Sequence, residues 1–102
     1  VVENGKLYAR IEAGGGGAGT EGFPVQTGRW YTVAGVKDGS RLLLYVDGKV
    51  VGRAPAPFTV RSRSREVALG GNPRYPGNEF LAATFADFSV HGRALGVEEM
   101  FR

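Results

Sequence analysis

The sequence predicts an all-β protein built from antiparallel strands and ending in one short helical turn. Three observations predict it. The first is Trp30 to Val51, WYTVAGVKDGSRLLLYVDGKVV, where two runs of β-branched, aromatic and aliphatic residues flank Lys37-Asp38-Gly39-Ser40, and Asp47-Gly48 closes the second run. Asp-Gly between apolar runs signals a hairpin, because a type I′ turn needs positive φ at both central residues. Two such hairpins in succession make a three-stranded meander. The second observation is composition: 17 glycines and 5 prolines among 102 residues, which interrupt helices and favour short strands joined by tight turns. The third is period-two alternation outside the meander.

The elements follow in chain order. Asn4-Gly5 is a turn, and Lys6 to Glu12 reads as a strand with Leu7, Ala9 and Ile11 on one face and Lys6, Tyr8, Arg10 and Glu12 on the other. Gly14 to Gly17 with Ala18-Gly19 reads as a mobile loop tip. A phosphate cradle is not indicated, since no Lys-Ser/Thr and no helix pattern follow. Phe23-Pro24-Val25 reads as a short strand. The meander then takes Trp30 to Val36, Arg41 to Val46, and Lys49 to Arg53, with Pro55 and Pro57 ending it. In the first strand Trp30, Thr32, Ala34 and Val36 share one face, and Tyr31, Val33 and Gly35 the other. In the second, Leu42, Leu44 and Val46 oppose Leu43 and Tyr45. Both faces are largely apolar, which predicts a sheet covered on both sides. Phe58 to Val60 leads into the Arg61-Ser62-Arg63-Ser64-Arg65 run, Glu66 to Leu69 reads as another short strand, and Phe80 to Val90 as one or two strands. Leu95 to Phe101 reads as a helical turn, with Glu98 and Glu99 early, where the helix dipole favours acids.

The bulk numbers bound the function. One domain fits 102 residues and two do not. The net charge of +3 and a pI near 9.6 are mildly basic, short of the dense positive field of a nucleic-acid binder. The absence of Cys excludes disulfides and thiolate chemistry. No apolar run approaches the ~20 residues that span a bilayer, so neither nucleic acid nor membrane insertion is expected. Arg61-Ser62-Arg63-Ser64-Arg65, if extended, sets three guanidinium groups on one face. That pattern suits a sulfate, phosphate or carboxylate; the alternative is a solvated edge whose charges deter strand pairing.

A family resemblance rests on Trp30 to Val36, Leu42 to Gly48, Leu69-Gly70-Gly71, Phe85 to Leu95 and Glu98-Glu99-Met100, in that order. This pattern resembles the laminin-G-like jelly rolls of the concanavalin A-like lectin/glucanase superfamily. The resemblance implies an antiparallel β-sandwich of jelly-roll type, with Trp30 in its core and residues 1–102 as one domain. The family domain begins with several strands before Leu7, so the chain reads as a C-terminal portion of a jelly roll or as a compact variant. A portion would expose a sheet edge for another segment of the parent chain, or a second copy, to cover. The family's paired acids, associated with calcium, fall on Ala86-Asp87. The resemblance therefore implies a calcium site at Asp87 with one carboxylate lost, against the six to eight oxygens calcium takes.

Catalysis is not expected. Glycoside hydrolysis needs two carboxylates ~5–9 Å apart across a cleft, and Glu98-Glu99 match the family's C-terminal latch. His91 reads as a partly packed ring at a strand end. The resemblance implies a secreted or cell-envelope module that recognises a glycan or a protein. Candidate residues are Tyr31 and Tyr45 for sugar stacking where they face outward, and Arg61, Arg63, Arg65, Arg74 and Tyr75 for polar or anionic contacts. Cross-strand packing is the alternative for both tyrosines. Two other functions stay open: an assembly domain that docks on its parent protein, and an accessory part of a glycoside hydrolase.

Overall fold

A computed structural model describes residues 2–13, 16–57, 81 and 83–100. The chain divides into two compact units, Val1–Val60 with His91–Arg102, and Arg61–Val90. Among the described residues the first unit holds β1 (Val2–Glu3), β2 (Lys6–Leu7), β3 (Arg10–Ala13), β4 (Gly16–Gly19), β5 (Phe23–Pro24), β6 (Val33–Asp38), β7 (Arg41–Val46), β8 (Lys49–Pro55) and α1 (Val97–Met100). The strands form three antiparallel sheets, ordered β1-β2-β5, β3-β4 and β6-β7-β8. The fold is all-β, as a jelly-roll sandwich requires.

The turns are set by residues that accept a left-handed backbone. Asn4-Gly5 joins β1 to β2 with φ of 53° and 74°, and Asp47-Gly48 joins β7 to β8 with φ of 50° and 85°. Both are type I′ pairs, whose twist matches that of the flanking strands. Between β6 and β7, Asp38 pairs with Arg41 and the central residues are Gly39-Ser40, of which Gly39 alone has positive φ. That is the type II′ pattern, so the Asp38-Gly39 dipeptide marks the hairpin but the turn sits one residue later.

The core lies in the meander. Leu42 and Leu44 are 2% and 3% exposed, and Val46 is buried beside them. On the opposite face Leu43 and Val36 are also buried and directly paired. Strand β7 is thus covered on both sides. Part of the cover over Leu44 comes from the N-terminal segment. Gly52 pairs with Leu44, and a methyl group at Gly52 would stand 3.0 Å from Thr20 Cβ and 3.1 Å from the Glu21 carbonyl oxygen. Only glycine lets the chains approach so closely. Thr20 is buried; its amide donates to the Ala9 carbonyl at 2.9 Å and its hydroxyl accepts the Ala9 amide at 3.1 Å. The Glu21 carboxylate accepts the Arg53 amide at 2.9 Å, closing that position on the edge of β8.

Several expectations need correction. The run Lys6 to Glu12 is not one strand: Lys6–Leu7 pairs with β1 and β5, while Arg10–Ala13 pairs with β4. Gly16–Gly19 is a strand rather than a loop tip, because the β3 ladder supplies the partners its glycines lack in side chains. Strand β6 starts at Val33, not Trp30, since Arg29 to Thr32 is bonded to the Asp47 turn instead. Strand β8 runs on to Pro55, which ends an edge strand where its missing N–H costs no ladder bond. Trp30 is 66% exposed and lies outside the core. In the second unit, residues 81 and 83–90 contain no strand; Asp87 has φ of 55°, which breaks the extended pleat, and Phe85, Phe88 and Val90 are exposed. The strand expected at Glu66 to Leu69 lies outside the described residues.

The C-terminal turn forms as expected, and its cause is visible. The Glu99 carboxylate accepts the Gly96 amide at 3.1 Å, while the Glu99 and Met100 amides donate to the Gly96 carbonyl. This is a reciprocal cap around the first turn. Arg93 holds the same carboxylate at 2.5 and 3.3 Å through two guanidinium nitrogens. The hydrogen bonds from Arg93 and then from the Gly96 amide draw the Glu99 pKa down from 4.5 to about 2. Leu95 and Met100 are half-buried on this turn.

Candidate functional site

The most organised surface in the first unit gathers around the Asp47-Gly48 turn. Asp47 needs its left-handed φ to close the hairpin, and Asp tolerates that region better than most residues. The turn presents the carboxylate to the segment preceding β6. Its Oδ1 accepts the Thr32 amide at 3.0 Å, and its Oδ2 accepts from Arg29 Nη2 at 3.2 Å. The Asp47 amide returns a bond to the Thr32 carbonyl at 2.8 Å. Residues 29–32 are therefore fixed by three hydrogen bonds to one turn residue.

A second layer continues from Arg29. Its guanidinium carbon lies 4.8 Å from the centre of the Tyr31 ring, a cation–π contact. Tyr31 meets Phe23 edge-on, with centroids 6.4 Å apart and planes at 81°. The Tyr31 hydroxyl accepts the Gln26 amide at 2.9 Å. Between the two engaged side chains of Arg29 and Tyr31 stands Trp30, exposed, with Val33 also exposed at the start of β6. The Trp30 indole makes no hydrogen bond or ring contact with the other described residues.

Sequence reasoning missed Trp30 as a surface residue. The available signal was Thr27-Gly28 just before it: Gly28 has φ of 83°, so the chain is still turning when it reaches Trp30.

The sequence candidates fall in different places. Tyr31 is half-buried, with Arg29 over its ring. Tyr45 is half-buried on β7, opposite Ala34 and Val50. Arg61, Arg63, Arg65, Arg74 and Tyr75 lie outside the described residues. Asp87 is exposed in the second unit, and no group of three or more His, Asp or Glu forms a metal cradle among the described residues. His91 is exposed and not at a strand end. A shallow depression of about 300 Å³ lies over Arg10, Ile11, Gly17, Ala18 and Gly19; the Arg10 guanidinium there is drawn toward Glu3 at 3.8 Å.

Five carboxylates have structural duties. Glu3 faces Arg10, Glu21 closes β8, Asp38 pairs with Arg41 across the β6–β7 turn, Asp47 fixes residues 29–32, and Glu99 caps α1.

The antiparallel all-β architecture is that of a β-sandwich module. The family profile described as the concanavalin A-like lectin/glucanases superfamily, in its laminin G division, matches residues 1–100, and the chain belongs to that family. The chain is 29% identical over 75 residues to the mouse (Mus musculus) basement membrane-specific heparan sulfate proteoglycan core protein. The match covers 71% of this chain and 2% of that protein. Among solved structures, an S-layer domain-containing protein (residues 221-444) of Clostridium thermocellum ATCC 27405 superposes with a TM-score of 0.59 at 17% identity, covering 99% of this chain and 64% of that one. At that identity the likeness shows the fold alone. Domains of this family are in general non-catalytic modules of extracellular proteins, although the superfamily includes glucanases.

Proposed function

We propose that this chain is a non-catalytic recognition module of a larger extracellular or cell-envelope protein, and that it binds a glycan or protein partner through the rim around Trp30. The observation that carries this reading is the exposed indole on a backbone fixed by Asp47. An exposed Trp on an ordered rim is the kind of side chain that serves as an anchor in interaction sites. The general character of the family's domains as non-catalytic modules supports a non-catalytic role. The named relatives, a basement-membrane proteoglycan core protein and an S-layer domain-containing protein, support the location.

The test is a binding screen of the purified chain against immobilised matrix proteins and a glycan array with neutral and sulfated polymers, at low and high salt. Saturable binding to any class supports a recognition module. Binding to sulfated polymers alone, lost in salt, assigns the contact to Arg61, Arg63, Arg65, Arg74 and Tyr75 instead of the rim. Failure to bind any glycan or protein overturns the reading and favours an assembly role within the parent protein.

A further inference from the structure

We propose that Asn4-Gly5 is the site of a spontaneous backbone modification, and that its isoaspartyl product releases the β1–β2 turn from Val25. The inference is independent of what the module binds. The chemistry needs only water. The Gly5 backbone nitrogen, once deprotonated, attacks Asn4 Cγ. An N–C bond forms, the bond from Cγ to the side-chain amide nitrogen breaks, and that nitrogen leaves as ammonia. The product is a five-membered succinimide. Water then opens it at Cγ to give aspartate, or at the main-chain carbonyl to give isoaspartate, in which the chain runs through Cγ. Nothing is oxidised or reduced. Glycine suits the attacking position because any side chain there would crowd the ring closure. Asn4-Gly5 is the one Asn-Gly pair of the chain; Asn72 precedes Pro73, whose nitrogen has no proton to lose, and Asn78 precedes Glu79.

Three features of the structure favour this site. The first is access. Asn4 and Gly5 are exposed, a Cβ at Gly5 would meet nothing within 4 Å, and the Asn4 side chain makes no hydrogen bond with the other described residues. The second is an easy opening. A type I′ turn holds both central residues left-handed, at φ of 53° and 74° here, and ring closure requires it to open. Strand β1 is only two residues long, is exposed, and pairs through Val2↔Leu7 and Glu3↔Lys6. Glu3 meets Arg10 at 3.8 Å with both side chains exposed, which holds the strand weakly. So short an outer strand frays readily. The third is contrast with Asp38-Gly39 and Asp47-Gly48, which form the same ring by loss of water. The Asp38 carboxylate is paired with Arg41 at 3.0 Å, and that of Asp47 accepts from Thr32 and Arg29. The strands that meet at Asp47-Gly48 are six and seven residues long.

The consequence lies across the sheet. The Gly5 carbonyl accepts the Val25 amide at 3.0 Å, and the next residue, Gln26, donates to the Tyr31 hydroxyl at 2.9 Å. Isoaspartate adds a carbon to the main chain inside a two-residue turn whose length fixes the register. The Gly5 carbonyl is thereby displaced and the Val25 bond is lost.

The test incubates the purified chain beside a synthetic peptide of residues 1–8 at body temperature and mildly alkaline pH. Peptide-mapping mass spectrometry follows the replacement of the amide by a carboxyl, and isoaspartate is read by enzymatic methylation. Conversion at Asn4 is expected at no less than about one-tenth of the peptide's rate. It should quicken with pH, because the attacking nitrogen must lose a proton, and should precede isoaspartate at Asp38 or Asp47. Asn4→Gly, which keeps the type I′ turn, should yield no isoaspartate in this segment. In the isolated isoaspartyl form, amide exchange at Val25 should be faster than in the unmodified chain. Conversion below one-tenth of the peptide's rate, or isoaspartate arising first at Asp38 or Asp47, overturns the site. Exchange at Val25 that does not quicken in the isoaspartyl form overturns the release.

Discussion

Asp47 does two separable things, and a three-variant series distinguishes them. It sits at φ of 50° in the β7–β8 turn, and its carboxylate holds Thr32 and Arg29. Asp47→Ala removes both. An alanine in the left-handed region costs roughly 1 kcal/mol more than a residue suited to it. Loss of the acceptor for the Thr32 amide costs about 0.5–1 kcal/mol. The Arg29 pair has side chains 58% and 43% exposed, so solvent screening leaves it only a few tenths of a kcal/mol at ~0.1 M salt. The sum for Asp47→Ala is about 2 kcal/mol, or roughly 10 °C in Tm for a domain of this size. Asp47→Gly restores the turn and loses only the side-chain bonds, about 1 kcal/mol. Asp47→Asn keeps the turn and one acceptor, and costs only a few tenths. The assay is urea denaturation followed by far-ultraviolet circular dichroism. The predicted order of loss is Ala, then Gly, then Asn. A glycine variant less stable than the alanine variant would refute the backbone argument. An asparagine variant as unstable as alanine would show that charge, not the Thr32 bond, holds the segment.

Three further outcomes follow from the packing and the cap. Leu44→Ala, at 3% exposure, should cost about 2–5 kcal/mol by denaturant midpoint, whereas Val33→Ala on the exposed start of β6 should stay within about 0.5 kcal/mol. Gly52→Ala drives a methyl to 3.0 Å from Thr20 Cβ and 3.1 Å from the Glu21 carbonyl oxygen, and should cost about 1–3 kcal/mol by overpacking; amide exchange at Arg53 should quicken as the Glu21 bond is strained. The Glu99 pKa is lowered in the folded state, so its contribution is fully present above the ordinary value of 4.5 and is lost as pH falls toward about 2. Carboxyl NMR titration should show that low midpoint in wild type and a return toward 4.5 in Arg93→Ala. Glu99→Gln should flatten the stability profile across the same window, and an unchanged profile would show that the cap forms without the carboxylate.

The sequence alone determined the meander. Leu42 to Val46 alternates with apolar residues on both faces, and Asp-Gly and Asn-Gly pairs mark turns because the conformations they permit are local properties of the backbone. The C-terminal turn was legible from Glu98 and Glu99 early in it, where the helix dipole favours acids, while the cap that joins Gly96 to Glu99 came only from the structure. The tertiary structure decided what depends on partners distant in the chain. Gly16–Gly19 became a strand because Arg10–Ala13 lies beside it, and no side-chain pattern in four small residues could announce that pairing. The chain from Lys6 to Ala13 was divided between two sheets by its separate partners. The family resemblance implies Trp30 in the core, yet its segment is bonded to Asp47, seventeen residues away, instead of the ladder, and the indole is exposed. Periodicity records which residues share a face, but which face meets water is set by long-range hydrogen bonds and packing.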